Sequence, residues 1–370
     1  MSEVKVLIMA GGTGGHIYPA LAVAARLRSA GAHIDWLGSA QGPEAYRVAE
    51  AGYDFHPIAV RGLRGNGVSG WLLAPIRIAI SMWSARKVLR RVGPHVVLGM
   101  GGYVSGPGAV MAWLMGCPLI IHEQNAVAGL TNRILTRIAN QVLEAFPGSF
   151  PLRVRAVHTG NPVRAEIAAL ATPEHRHLQR TGPIHLLVLG GSQGARFLNE
   201  QVPAALASLG DPDVFEVRHQ AGAKQIGAAC EAYSKHQLAI EPVAYIEDMA
   251  EHYAWADLIV CRAGAMTIAE ITVAGVAAIL VPLPHAVDDH QTANARFLSD
   301  AGAALLVPES ELNPGHLARL LEELGQARDR LLQMAIRARG LALVDADQNV
   351  AGYCLKWAEM HLATAQVPHA

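Results

Sequence analysis

The chain opens the same way twice. An apolar, β-branched run from Val4 to Met9 leads straight into Gly11-Gly12-Thr13-Gly14-Gly15-His16 and then an Ala- and Leu-rich stretch ending near Ala30-Gly31. The order returns at Ile184 to Leu189, followed by Gly190-Gly191-Ser192-Gln193-Gly194-Ala195 and a helical stretch carrying Leu198, Val202 and Leu206. The two loops begin 179 residues apart. A strand that turns on glycines into a helix is the opening half of a βαβ unit. Two such openings, each far enough from the other to start its own domain, predict two domains and exclude a single sheet grown from one end.

The segments beyond each loop fit that reading. Short apolar runs alternate with helical segments at His33 to Leu37, Val96 to Leu98 and Leu119 to His122 in front, and at Val214 to Arg218, Leu258 to Cys261 and Ala278 to Pro282 behind. Alternation of this kind predicts parallel sheets covered on both faces. The expected architecture is α/β, two doubly wound Rossmann-like domains in tandem, joined around Gly160-Asn161-Pro162. The boundaries are set at 1–162 and 163–342. A last helix near Val344 to Leu362, with Val350, Cys354, Trp357 and His361 on one stripe, is expected to return to the first domain. Open sheets of this class bind ligands at the carboxyl ends of their strands, so the site is expected between the domains.

Composition removes several classes. With 51% hydrophobic residues and 30 Lys+Arg against 31 Asp+Glu, the chain is globular and not disordered. The four cysteines, Cys117, Cys230, Cys261 and Cys354, show neither a CxxC nor a zinc-ligand spacing. The N-terminus reads as a strand and not a signal peptide, which places the chain in a reducing cytoplasm. Val92 to Ile121 and Ile271 to Val287 lack charge, but glycines and prolines interrupt both, so neither is expected to span a membrane. No basic stripe is interleaved with aromatics, which sets nucleic acid aside.

The balanced charge conceals an asymmetry. Residues 1–160 hold 15 Lys+Arg and 7 Asp+Glu, a net of +8, and the remainder holds 15 and 24, a net of −9. A basic front half suggests an anionic partner, whether phosphate, nucleic acid or membrane surface.

A glycine loop opening a helix directs backbone N–H groups and the positive helix end at an anion, usually phosphate. Neither loop has the lysine of a Walker motif, and Ile17 stands where the dinucleotide fingerprint needs its third glycine, although Asp35 has the spacing of a ribose acid. A single loop of this kind is equally well a tight turn; a pair at matching positions suits one donor and one acceptor. A third helix start, Cys261-Arg262-Ala263-Gly264-Ala265-Met266-Thr267-Ile268-Ala269-Glu270, offers further amides, with Glu270 placed to accept from a ribose diol or else simply exposed on the helix. The polar run from Pro284 to Asn294 comes after a buried strand and suits sugar hydroxyls; its two Asp and two His lack the supporting cluster a metal would need.

Taken together, GGTGGH at 11–16, GMGGYVSGPG at 99–108, HEQNAVAGLTNR at 122–133, GNPVR at 160–164, GGSQGAR at 190–196, CRAGAMTIAE at 261–270 and DDHQTANA at 288–295 closely resemble one family. These are the bacterial MurG-type glycosyltransferases. They add N-acetylglucosamine to undecaprenyl-diphospho-muramoyl-pentapeptide in peptidoglycan synthesis. The resemblance implies a GT-B fold, an inverting transfer with no cofactor and no bound metal, and UDP-N-acetylglucosamine as donor. It also implies a peripheral place on the cytoplasmic face of the inner membrane, with an anionic membrane surface and cell-wall synthesis proteins as partners.

By the same resemblance Ser192 and its loop, with Arg164, would hold the donor diphosphate. Ala265, Met266, Thr267, Ile268 and Ala269 would line the third helix start, and Glu270 would bind the ribose. The uracil would lie against Ile246, where backbone groups can read its edge. Gln291, or His290 in its place, with Asn294 beside it, would read the sugar hydroxyls, while Thr13, Gly14, Gly15 and Asn125 approach from the first domain. The acceptor diphosphate would meet Gly101, Gly102, Tyr103, Val104 and Ser105. His16 is the first candidate for the general base, with Glu123 and His122 behind it. Its alternative role is to position substrate.

A lipid-linked acceptor needs a way onto the membrane. Residues Trp71 to Trp83, followed by Arg86-Lys87 and Arg90-Arg91, have the composition of an interfacial helix, or of a packed helix with a basic end. Trp113-Leu114-Met115 would extend that patch. Three other functions share parts of this pattern: a UDP-sugar epimerase, a dinucleotide-dependent oxidoreductase, and a non-catalytic scaffold that senses UDP-sugar.

Overall fold

The computed structural model of the chain describes residues 3–60, 74–178, 180–191, 194–284 and 289–365. The chain divides into two compact units, residues 1–164 with 343–370, and residues 165–342. Ser192, His285, Asp288 and the Trp71 to Leu73 part of the apolar segment lie outside the described residues.

Unit 1 is built on seven parallel strands: β1 (Lys5–Met9), β2 (His33–Ser39), β3 (Asp54–Ile58), β4 (Val96–Gly99), β5 (Leu119–Glu123), β6 (Gln141–Glu144) and β7 (Val157–His158), in the order β3-β2-β1-β4-β5-β6-β7. The continuous apolar run of β1 is explained by burial on both faces. Val6 and Ile8 point into one core, with Ala20, Val23, Ala24 and Leu27 of the helix Gly14–Ser29. Leu7 and Met9 point into the other, with Ala85 and Leu89 of the helix Ala74–Val92 and Ala109 and Ala112 of the helix Ser105–Leu114. The helices after β1 and after β4 therefore cover opposite faces, and β1 and β4 are neighbours in register. That is a topological switch point, where the loops leaving the carboxyl ends diverge and open a crevice.

Unit 2 repeats the plan with five parallel strands: β8 (Ile184–Leu189), β9 (Phe215–Gln220), β10 (Leu258–Cys261), β11 (Ala277–Leu280) and β12 (Ala304–Leu306), ordered β12-β11-β10-β8-β9. Its switch point lies between β8 and β10, below residues 190–191, 194–195 and 262–264. The last helix, Ala346–Ala365, belongs to unit 1. Val350, Ala351, Cys354 and Ala358 form its apolar stripe, buried in the same core as the helix Gly14–Ser29, and the Arg26 guanidinium donates to the Asp347 carboxylate between the two helices.

Among the described residues no helix is long and apolar enough to cross a membrane. The described residues of the two uncharged stretches are instead strands, turns and short helices around β4, β5 and β11. The four cysteines are unpaired, and burial pushes the thiols of Cys117, Cys261 and Cys354 up to about 12.

Candidate functional site

In unit 1 the first glycine loop, the loop after β4 and the loop after β5 converge on His16. Thr13 is the extended N-cap of the helix Gly14–Ser29, and its carbonyl accepts the amides of His16 and Ile17 at 3.1 and 3.2 Å. The amides of Gly14 and Gly15 precede that ladder, where a helix start faces an anion. The amide of Gly12 points elsewhere. It donates to the Glu44 carboxylate at 3.2 Å, and the other oxygen of Glu44 takes the Ser39 amide at 2.8 Å. Glu44 is fully buried, and a Cβ at Gly11 or Gly42 would collide with its carboxyl group. The anion at this end of the loop is thus a side chain of the protein itself.

The loop after β4 packs on the His16 ring. A Cβ at Gly101 would lie 3.0 Å from the imidazole, and one at Gly102 would lie 2.5 Å from the Gly11 carbonyl oxygen. Both residues have positive φ, 92° and 81°. Tyr103 is exposed and its ring lies against Gly12. Ser105, expected at the acceptor, is the first residue of the helix Ser105–Leu114. It is buried, and its hydroxyl is directed at the carbonyls of Gly101 (2.7 Å) and Met9 (3.0 Å), so it fixes the loop.

Glu123 is also held within the fold. Its buried carboxylate accepts four hydrogen bonds: the Asn125 amide and side chain on one oxygen (3.0 and 3.2 Å), and the Gly129 amide and Asn132 side chain on the other (3.1 and 2.8 Å). A carboxylate so engaged shapes the 123–132 loop and places Asn125. His122 is also buried, and burial lowers its pKa to about 4. It is bonded to the Gly160 carbonyl (3.0 Å) and to Gln124 (3.0 Å), and Gln124 in turn reaches Nδ1 of His16 at 2.9 Å.

In unit 2 the helix Ala265–Ala274 starts after β10 on the extended N-cap Gly264. Its first helical bond runs from the Ile268 amide to the Gly264 carbonyl at 2.9 Å, leaving the amides of Ala265, Met266 and Thr267 ahead of the ladder. The Ile268 amide is used in that bond and its side chain is fully buried. Ala269 lies one residue further along the same helix. Glu270 is half-buried, and the fully buried Tyr253 donates its hydroxyl to the Glu270 carboxylate at 3.0 Å.

Ile246 is buried, and its amide donates to the Gln220 side chain at 3.0 Å, so that amide is not available to read a base edge. The side chain of Gln291 accepts the Leu283 amide at 2.9 Å and braces the segment after β11. Asn294 is fully buried and donates to the Ala263 carbonyl at 3.2 Å, which holds the turn before Gly264. Arg164 is half-buried at the end of the front segment of unit 1.

One grouping among the described residues brings possible metal ligands together, His33, Asp35 and Asp54, within 4.8 Å of one another. It sits where β2 and β3 begin, at the opposite end of the sheet from the His16 crevice, and Asp35 already pairs with His56.

The helix Ala74–Val92 leaves Ile76 (59%), Ile80 (50%) and Trp83 (58%) exposed, with Ile78 between them. It packs against the helix Ser105–Leu114, at whose C-terminal end Trp113, Leu114 and Met115 are also exposed. The Lys87 ammonium lies 3.4 Å from the centre of the Trp83 ring, so charge and apolar surface meet at one edge.

The sequence reading missed Glu44, Gln124, Tyr253 and Gln220, each of which holds a proposed site residue or its loop. The only signal for Gln124 was its place inside the HEQN run; Glu44 lay among glycines with no periodicity.

Comparison with known proteins agrees on both halves. Residues 6–144 match the glycosyltransferase family 28 N-terminal domain, and residues 185–350 match the glycosyltransferase family 28 C-terminal domain. A relative from Aeromonas hydrophila subsp. hydrophila is 53% identical over 98% of both chains. It is named UDP-N-acetylglucosamine–N-acetylmuramyl-(pentapeptide) pyrophosphoryl-undecaprenol N-acetylglucosamine transferase. A relative of the same name from Alkalilimnicola ehrlichii is 54% identical over 95% of this chain and 99% of its own. The crystal structure of Acinetobacter baumannii MurG superposes with a TM-score of 0.82 at 42% identity, covering 95% of this chain and 99% of that one.

Proposed function

The chain belongs to glycosyltransferase family 28, and we propose on that premise that its two switch-point crevices divide one glycosyl transfer between them. It is a hexosyltransferase of the GT-B fold. It moves N-acetylglucosamine from UDP-N-acetylglucosamine to the 4-hydroxyl of the muramoyl unit of undecaprenyl-diphospho-muramoyl-pentapeptide, a step of peptidoglycan synthesis. The observation that carries this is the 53% identity, over 98% of both chains, to a transferase of that name.

Unit 2 takes the donor. The amides of Ala265, Met266 and Thr267, with Arg164 and Ser192, hold its diphosphate at a helix start, where negative charge is favoured. Glu270, oriented by Tyr253, accepts from the ribose diol. Ile246 offers the uracil an apolar surface, and Gln291 meets the sugar. Unit 1 takes the acceptor at Gly101, Gly102 and Tyr103, with Thr13, Gly14, Gly15 and Asn125 completing the approach to the donor.

His16 takes the proton of the muramoyl 4-hydroxyl as that oxygen attacks the anomeric carbon. The bond from that carbon to the UDP oxygen breaks, and UDP leaves with the electron pair. Attack from the face opposite the leaving group inverts the centre. A proton acceptor of this kind contributes about 10²–10⁴-fold, and charge stabilisation at the departing diphosphate supplies much of the rest. No step requires a metal.

The exposed Ile76, Ile80 and Trp83 with the basic end of their helix suit an anionic membrane surface, where the lipid-linked acceptor resides. On this reading the enzyme acts peripherally at the cytoplasmic face of the inner membrane, alongside other cell-wall synthesis proteins. A UDP-sugar epimerase would use neither that surface nor an acceptor.

The test is transfer of radiolabelled N-acetylglucosamine from its UDP conjugate to a short-chain analogue of the acceptor, comparing wild type with Glu270→Ala. Product from wild type, with the variant's donor KM raised at least about 10-fold and kcat retained, is expected. Release of free sugar or epimer, with no acceptor product, would exclude the transferase.

A further inference from the structure

We propose that Gln124 is the positioning residue of the proton acceptor: its side-chain carbonyl holds the proton on Nδ1 of His16 and so leaves the lone pair on Nε2. This deepens the base assignment above and rests on it for its functional meaning, although the tautomer itself is set by the hydrogen-bond chain alone.

One end of that chain is fixed. The Gly160 carbonyl can only accept, so Nε2 of His122, 3.0 Å away, carries hydrogen. His122 is sealed from solvent and neutral, as its burial-lowered proton affinity requires, so its Nδ1 is an acceptor. The atom facing that Nδ1 at 3.0 Å is the side-chain nitrogen of Gln124, whose second hydrogen goes to the His122 carbonyl at 3.2 Å. Turning the amide over would set an oxygen against two acceptors. The orientation is therefore fixed, and Oε1 of Gln124 faces Nδ1 of His16 at 2.9 Å. An amide oxygen only accepts, so His16 must donate from Nδ1. A neutral imidazole has one N–H, and Nε2 is left to take the substrate proton.

Two further contacts keep the geometry rigid. The Gln124 carbonyl accepts the Asn161 side chain at 2.9 Å, anchoring the main chain beside Gly160. Gly101 closes over the pair, since a Cβ there would lie 3.0 Å from the His16 ring and 3.4 Å from Oε1 of Gln124. When His16 takes the proton, both ring nitrogens become donors and the Gln124 oxygen still accepts from one of them. The device is a neutral counterpart of the carboxylate that orients the histidine of a hydrolase triad.

The experiment uses the full-length protein with ¹⁵N-labelled histidine. Long-range ¹H–¹⁵N spectra at alkaline pH identify His16 by the signal lost in His16→Ala. The expected result is an Nδ1–H tautomer in wild type. Gln124→Met, of similar size but without the acceptor, should lose that tautomer and lower kcat about 100-fold, with both KM values changed less than about threefold. An Nε2–H tautomer in wild type, or an unchanged tautomer and kcat in Gln124→Met, overturns the proposal. If Gln124→Met does not fold, the wild-type spectrum decides the tautomer and Gln124→Asn, which keeps an amide set back by one methylene, decides the dependence. Wild-type kcat in His16→Ala would end the base assignment while an Nδ1–H signal still upheld the tautomer, so the two failures are read separately.

Discussion

Replacing Gly102 by alanine separates backbone strain from displacement of the catalytic loop. Gly102 has φ of 81°, where a side chain costs roughly 1–2 kcal/mol. Its new Cβ would also stand 2.5 Å from the Gly11 carbonyl oxygen, whereas carbon and oxygen settle at about 3.3 Å or more. The loop after β4 and the loop carrying Thr13 and His16 must then move apart by nearly 1 Å. A misplacement of that size at a reacting group can cost about 10²-fold in rate. Gly116 provides the control, for its φ is 73° but a Cβ there would meet nothing within 4 Å, so alanine at that position carries the strain without the collision. Steady-state transfer kinetics and thermal melts on both variants make the comparison. Both are expected to lose a few degrees of Tm, with kcat lowered about 30- to 100-fold in Gly102→Ala and unchanged in Gly116→Ala. Equal kcat in the two variants would refute the claim that close apposition of these loops sets the geometry of His16.

Three other outcomes rest on single contacts or groups. Tyr253→Phe removes the hydroxyl that orients Glu270 and should raise donor KM about 10-fold, the worth of a hydrogen bond to a charged group, with kcat kept; an unaltered KM would remove Tyr253 from the account. Changing Ile76, Ile80 and Trp83 together to serine should weaken binding to anionic vesicles by at least about 10-fold without altering the melt, and undiminished binding would defeat the interfacial role. His219 is buried with a pKa lowered to about 4, so the unfolded chain takes up its proton near pH 6.5 and the folded chain does not. Stability is complete above that range and falls as pH drops toward 4, by about 2 kcal/mol at pH 5 from this group. In urea unfolding, His219→Gln should lose that much less on acidification, and an equal loss in both proteins would contradict it.

How much of this could be read from sequence depended on where side chains point. β1, β4, β10 and β11 announced themselves because burial on both faces makes their runs almost continuously apolar. β3 reads Asp-Phe-His-Pro-Ile at a flank and β7 has two residues, so neither gave a pattern. The glycine loops and the start at Gly264 were legible as helix openings, since glycine there answers to backbone geometry. What was not legible was which polar groups are already spent. Ser105, Glu123, Ile268 and Asn294 sit inside the right motifs, yet each uses its polar atoms, or its amide in the case of Ile268, within the fold. Glu44 shows the converse, a carboxylate distant in sequence from Gly12 that the parallel pairing of β1 and β2 brings onto its amide.

The central claim is that His16 accepts the proton in a metal-independent transfer of N-acetylglucosamine to a lipid-linked muramoyl acceptor. The most direct measurement is the rate of that transfer with EDTA present, for wild type and His16→Ala at saturating donor and acceptor. Full product from wild type and a kcat lowered at least about 100-fold in the variant, with donor KM unchanged, is the expected result. A wild-type enzyme silenced by EDTA, or a variant that turns over at the wild-type rate, would contradict it.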